Sequence, residues 1–99
     1  MNKEKIMKQA IDTYGTDKQT DMMLEEMAEL AKALLKFRRL SDFQRVSKEG
    51  ELSIAAIREE MADVRIMLDQ MEMIYGDYSQ EKTAKLVRLN NRLKEEMIN

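Results

Sequence analysis

The chain has no cysteine and no histidine. Zero cysteine excludes disulfides and thiolate chemistry. Zero histidine removes the imidazole base, and without either residue there is no ordinary zinc site. Any bound metal should be a hard cation held by oxygens. A ferritin-like di-iron bundle is disfavoured for the same reason, since its Glu-x-x-His ligand pattern cannot be written. Proline is also absent, and only three glycines punctuate the chain. No apolar run reaches membrane-spanning length, and Met1-Asn2-Lys3-Glu4-Lys5 leads into no signal-peptide core. These absences predict a soluble, cytoplasmic protein with no membrane partner. The formal charge of −2 offers no general attraction for nucleic acid.

A length of 99 residues allows one domain, spanning 1–99. A monomer this small has limited core, so association would add to it. Charged residues are 36% of the chain and aromatics 5%, a balance that could signal disorder. The 43% of apolar residues argues otherwise, because they recur at helical spacing. A first helix is expected from about Lys3 to Tyr14, and a second from Asp17 to Leu40, with Thr16 and Gln19 at capping-box spacing. Gly15 and Gly76 each follow a tyrosine that closes a helical pattern, as at a C′ position. Ser41 to Leu52 reads as a polar connection. Ser53 is a fair N-cap for a third helix ending near Tyr75. A fourth runs from Asp77 or Ser79 to about Met97. The expected class is therefore all-α, a bundle of about four helices.

One heptapeptide occurs twice. Leu24-Glu25-Glu26-Met27-Ala28-Glu29-Leu30 returns as Arg58-Glu59-Glu60-Met61-Ala62-Asp63-Val64. On a wheel with Met23 at zero, Glu26 falls at about 300°, inside the apolar arc, and Glu29 at about 240°, on its edge. With Ile57 at zero, Glu60 and Asp63 take the same two places, and Glu60 lies between Met67 and Met71. Each pair is spaced i,i+3, which stacks both carboxylates on one face. If the two helices pack antiparallel, Glu26, Glu29, Glu60 and Asp63 can converge. Four carboxylates in an apolar setting would not all stay ionised without a cation. Mg²⁺ or Mn²⁺ would relieve the repulsion and could also accept phosphate oxygens. The competing reading is a solvated acidic face paired with basic residues such as Lys32 and Lys36. Glu60 argues against it, because both its wheel neighbours are methionine.

The last helix carries Lys85, Arg88 and Arg92 beside an apolar stripe of Leu86, Leu89, Leu93 and Met97. Such cations suit a polyphosphate, and Arg can bind phosphate oxygens bidentately. Ordinary pairing of Glu81 with Lys85 and of Arg92 with Glu96 is the alternative.

Glu25-Glu26-Met-Ala-Glu29 followed by Glu60-Met-Ala-Asp63 resembles the EExxE…ExxD signature of the MazG-type, all-α nucleoside triphosphate pyrophosphohydrolases. Tyr14-Gly15, Gln19, Ile66-Met67-Leu68 and Gln70 also resemble the small single-domain, phage-type members. The resemblance covers roughly residues 11 to 93. It departs at the spacing between Glu29 and Glu60, which is slightly long, with the surplus in the Ser41 to Leu52 connection. It implies Mg²⁺ held by Glu26, Glu29, Glu60 and Asp63, and a catalytic, water-orienting role for Glu25. It implies cleavage of a nucleoside triphosphate between the α- and β-phosphates. It adds Asn91 to Lys85, Arg88 and Arg92 as substrate-binding residues. It also implies a homodimer, or a tetramer, as does an apolar arc on the second helix too wide for one hairpin to cover. Two other classes remain: a non-catalytic helical dimerisation or adaptor module with surface acids, and a metal-free helical mutase acting on an anionic metabolite.

Overall fold

The computed structural model describes residues 1–98. They form five helices: α1 (Lys3–Tyr14), α2 (Thr16–Arg38), α3 (Asp42–Arg45), α4 (Lys48–Tyr75) and α5 (Ser79–Ile98). No strand occurs among the described residues, and no helix is long and apolar enough to cross a membrane. The all-α class expected from the periodicity is observed. The helix count exceeds the expected four because the polar connection is itself largely helical.

That connection shows how local chemistry can outvote polarity. Ser41 and Gln44 form a reciprocal capping box that starts α3: Gln44 N–H donates to Ser41 Oγ at 3.2 Å, and Ser41 N–H donates to Gln44 Oε1 at 2.8 Å. Ser47 then occupies the N-cap of α4, with Glu49 and Glu51 in the first turn, where the helix dipole favours anions. Ser53, read from sequence as the N-cap, is instead buried inside α4. The proposed Thr16/Gln19 box is also absent. Thr16 is already helical, α2 has no side-chain cap, and Gln19 is buried. Gly15 and Gly76 do mark helix ends, with φ of 93° and 113°, values that suit glycine.

α2 and α4 make the main packing contact of the chain. They run antiparallel: Thr20 near the start of α2 hydrogen-bonds Tyr75 at the end of α4, Oγ1 to Oη 2.8 Å. On α2 the shielded positions are Gln19, Met23, Glu26, Leu30, Ala33 and Phe37, with Thr20 beside them, and Leu40 just past the helix end extends the line. On α4 the corresponding line is Gly50, Ser53, Ile57, Glu60, Val64, Met67, Met71 and Ile74. Both lines advance in alternating steps of three and four, the seam of a coiled-coil pair. α1 lies against both helices and α3 against α4. Arg45 of α3 reaches back to α2. Its guanidinium sits 4.9 Å from the centre of the Phe37 ring and donates to the Arg38 carbonyl at 3.0 Å.

Little of the apolar surface is hidden. Met67 is the one buried hydrophobic residue among those described. Leu24, Met27, Leu34 and Leu35 of α2 and Met61, Ile66 and Met73 of α4 are exposed. The accessible surface is 8273 Å², against about 5,900 Å² for a compact monomer of this mass. The radius of gyration is 17.8 Å, where about 13 Å is usual for 100 residues.

Gly50 sits where α3 crosses α4, and a Cβ there would run into the Arg45 backbone carbonyl. Alanine normally stabilises a helix interior relative to glycine. Here the sign should reverse. Gly50→Ala is expected to lose about 1–3 kcal/mol, the usual cost of overpacking, in urea denaturation at fixed protein concentration. Unchanged or increased stability would show that the crossing is loose.

Candidate metal centre

The two copies of the heptapeptide meet across the α2–α4 seam. Glu26 and Glu60 are seam residues, and Asp63 flanks them on the next turn. One carboxylate oxygen from each of these three lies within 4.8 Å of the others. Glu26 and Glu60 are half-buried and Asp63 is exposed. The cluster therefore opens to solvent on one side and is walled by the helix pair on the other.

No basic residue neutralises it. Among the described residues the ion pairs are Lys48–Glu51 and Arg65–Asp69, both on the surface of α4. The pairings of the competing reading, through Lys32 and Lys36, are not formed. The electrostatic result is visible at Glu26, whose carboxyl is pushed above its ordinary value. Partial desolvation in the seam is the first cause. The charges of Asp63 and Glu60 follow, then hydrogen bonding with Asp63 and the charge of Glu29. Glu26 thus holds its proton more readily than an ordinary carboxyl while no cation is near.

The other sequence-predicted residues are placed less tightly. Glu29 is exposed and stands outside the three-carboxylate group, close enough to act on Glu26 through its charge. Glu25 is exposed and lines a hollow of about 510 Å³ with Tyr14, Lys18, Gln19, Asp21 and Met22. Lys85, Arg88, Asn91 and Arg92 all lie on α5, exposed. The Glu81–Lys85 and Arg92–Glu96 pairs expected of an ordinary surface helix are absent among the described residues.

Two polar features of the seam escaped the wheel. Gln70 is 4% exposed and its Oε1 has no partner; Ser53 is 7% exposed and its Oγ has none. Ser53 continues the three-four rhythm of Ile57 and Glu60 towards the N-terminus of α4, and extending that rhythm would have found it. Gln70 lies off that line, one turn beyond Met67, and the rhythm alone does not reach it. Comparison with protein-family models, curated proteins and solved structures finds no match for this chain. The chemistry therefore has to be argued from the residues themselves.

A raised carboxyl makes a signed prediction. The folded state holds a proton on Glu26 at a pH where the unfolded chain has released it. Stability of the metal-free protein should therefore rise as pH falls from neutral through the raised value toward the ordinary carboxylate range. Glu26→Gln, which removes the charge, should raise the metal-free melting temperature at pH 7 and flatten that pH dependence. Thermal denaturation from pH 5 to pH 8 checks both. A Gln variant less stable than wild type at pH 7 would contradict the electrostatic reading.

Proposed function

We propose that this chain is a Mg²⁺-dependent nucleoside triphosphate pyrophosphohydrolase, cleaving an NTP or dNTP between the α- and β-phosphates to give a monophosphate and pyrophosphate. The observation that carries the proposal is the convergence of Glu26, Glu60 and Asp63 with no basic counter-charge. Paired acids without a cation are costly to build into a helix seam. Their recurrence at equivalent places on two helices matches a divalent metal site better than a solvated face. The donor set, all carboxylate, suits Mg²⁺, with Mn²⁺ as a substitute. The resemblance of Glu25–Glu29 and Glu60–Asp63 to the MazG-type signature supplies the reaction.

In this reading Glu26, Glu60 and Asp63 hold the metal, with Glu29 as a further ligand. When bound, Mg²⁺ polarises phosphate oxygens and lowers the pKa of bound water. Glu25, next to Glu26 in the chain, orients the attacking water and takes its proton, since the chain has no histidine to do so. Lys85, Arg88, Arg92 and Asn91 meet the phosphates. A nucleotide substrate also places the protein in the cytoplasm.

The working unit is a homodimer. The surface excess over a compact monomer is about 2,400 Å², the order that each chain of an obligate dimer with a large interface buries. The exposed apolar residues of α2 and α4 supply the matching chemistry.

Incubation with each canonical NTP and dNTP plus Mg²⁺ should release pyrophosphate. Glu60→Gln or Asp63→Asn should cut the rate to below about one-hundredth, since even outer-shell losses at metal sites reach that size. Release of orthophosphate, or activity untouched by both changes, would overturn the mechanism. A purely structural dimerisation module would show no Mg²⁺-dependent rise in melting temperature. Sedimentation at micromolar concentration should give at least twice the chain mass of 11.7 kDa; a monomer would refute the assembly.

A further inference from the structure

We infer that α5 is an exchanged arm, lying on the α2–α4 hairpin of a second copy of this chain and bringing Lys85, Arg88 and Arg92 to that copy's acidic cluster. The functional half of this inference rests on the nucleotide reading above; the placement of the arm does not.

α5 stands apart from the rest of its own chain. It makes no extended packing contact with α1 to α4, and every residue from Ser79 to Met97 is exposed. Yet its sequence is that of a packed helix. Leu86, Leu89, Leu93 and Met97 recur on one side and remain 44–87% exposed. The hollow beside Leu86 and Leu89 is lined only by α5 itself and the adjoining Tyr78. A polar helix might be left in water, but an amphipathic one with a continuous stripe has a partner.

The link to α4 holds the arm in its outward position. Gly76 takes a positive φ of 113° and α4 stops there. Asp77 then accepts hydrogen bonds from Ser79 N–H at 2.9 Å and from Ser79 Oγ at 3.0 Å. This Asx-type turn fixes how the first turn of α5 departs. Folding back along α4 of the same chain would require the turn to be rebuilt.

Charge identifies the receiving surface. On α5, Lys82, Lys85, Arg88, Arg92 and Lys94 outnumber Glu81, Glu95 and Glu96. α2 and α4 have the opposite imbalance, with Glu26, Glu60 and Asp63 unneutralised at their centre. Lys85, Arg88 and Arg92 run along the flank of the apolar stripe. A helix seated by that stripe can therefore direct them at phosphates held through the metal that Glu26, Glu60 and Asp63 would bind. The surface excess is of the size needed to accommodate such an exchange. Each site would then be incomplete in a single chain: acids from one copy, cations from the other.

Complementation tests the shared site. Glu60→Gln and Arg88→Ala/Arg92→Ala should each be inactive alone. Unfolded together in urea and refolded in equal amounts, they should give about one quarter of wild-type activity, because half of the closed dimers are mixed and each mixed dimer has one intact site. No recovery overturns the sharing, as does an arginine variant with wild-type activity. Arm placement is read without turnover, using the absence of cysteine. A chain with Met22→Cys and Leu89→Cys, treated with a short bismaleimide, should form covalent dimers beyond those of either single variant. A product linked only within one chain overturns the exchange. Cross-linked dimers from a protein that releases no pyrophosphate would support the arm and reject the nucleotide reading.

Discussion

The structure depends on one seam with a conflict built into it. α2 and α4 meet along alternating three- and four-residue steps, a pattern that ordinarily selects apolar side chains at every layer. Midway along, the pattern admits Glu26 and Glu60, with Asp63 beside them. The flanking seam residues are Met23 and Leu30 on α2 and Ile57 and Val64 on α4, so the carboxylates are bracketed by apolar layers. Partial desolvation and mutual repulsion then raise the proton affinity of Glu26. The proposed metal would relieve that repulsion.

The polar layers away from the acids fit the same picture. Gln19 and Gln70 near one end, and Ser53 near the other, interrupt what would otherwise be an apolar interface. Unsatisfied groups such as Gln70 Oε1 and Ser53 Oγ lower the stability of the hairpin. They also make its register more specific, since a slipped pairing would set them against apolar layers. The hairpin is held at its ends by other means. Thr20 and Tyr75 join it at one end, and Arg45, stacked on Phe37 and bonded to the Arg38 carbonyl, ties it at the other.

A single chain brings the three acids together but buries little apolar surface. With Met67 as its one buried hydrophobic residue among those described, it has almost no core of its own. The large apolar residues of α2 outside the seam, and those of α5 up to Met97, are exposed. This accounts for the mismatch between the helical wheel and the folded hairpin. On the wheel with Met23 at zero, Met27, Leu30, Leu34 and Phe37 fall within about 40° of it. The hairpin uses one edge of that stripe, centred on Glu26, and leaves Met27 and Leu34 exposed. The stripe is wider than the α4 contact covers, and this surface is the one the proposed dimer would use.

Much of the architecture was legible in the sequence. Periodicity revealed the helices, glycine after tyrosine revealed two of their ends, and the repeated heptapeptide revealed which acids turn inward. These are local properties: 100° per residue is a rule of the backbone, and so is the conformational freedom of glycine. The errors came where local signals compete. Ser53 was read as the N-cap, whereas Ser41 and Ser47 hold the N-cap positions of α3 and α4 and Ser53 is buried inside α4. The steric demand at Gly50, set by the Arg45 carbonyl, shows that α4 is already helical before Ser53. The sequence by itself determined that the chain is helical, that any metal site must be oxygen-ligated, and that Glu26 and Glu60 face the same way as their apolar neighbours. Only the tertiary structure decided that Glu26, Glu60 and Asp63 converge while Glu29 stands off, and that α5 is unattached to its own bundle. Those outcomes depend on helix crossing and on the geometry of the Gly76–Asp77 turn, which act between elements and leave no trace in the periodicity of any one of them.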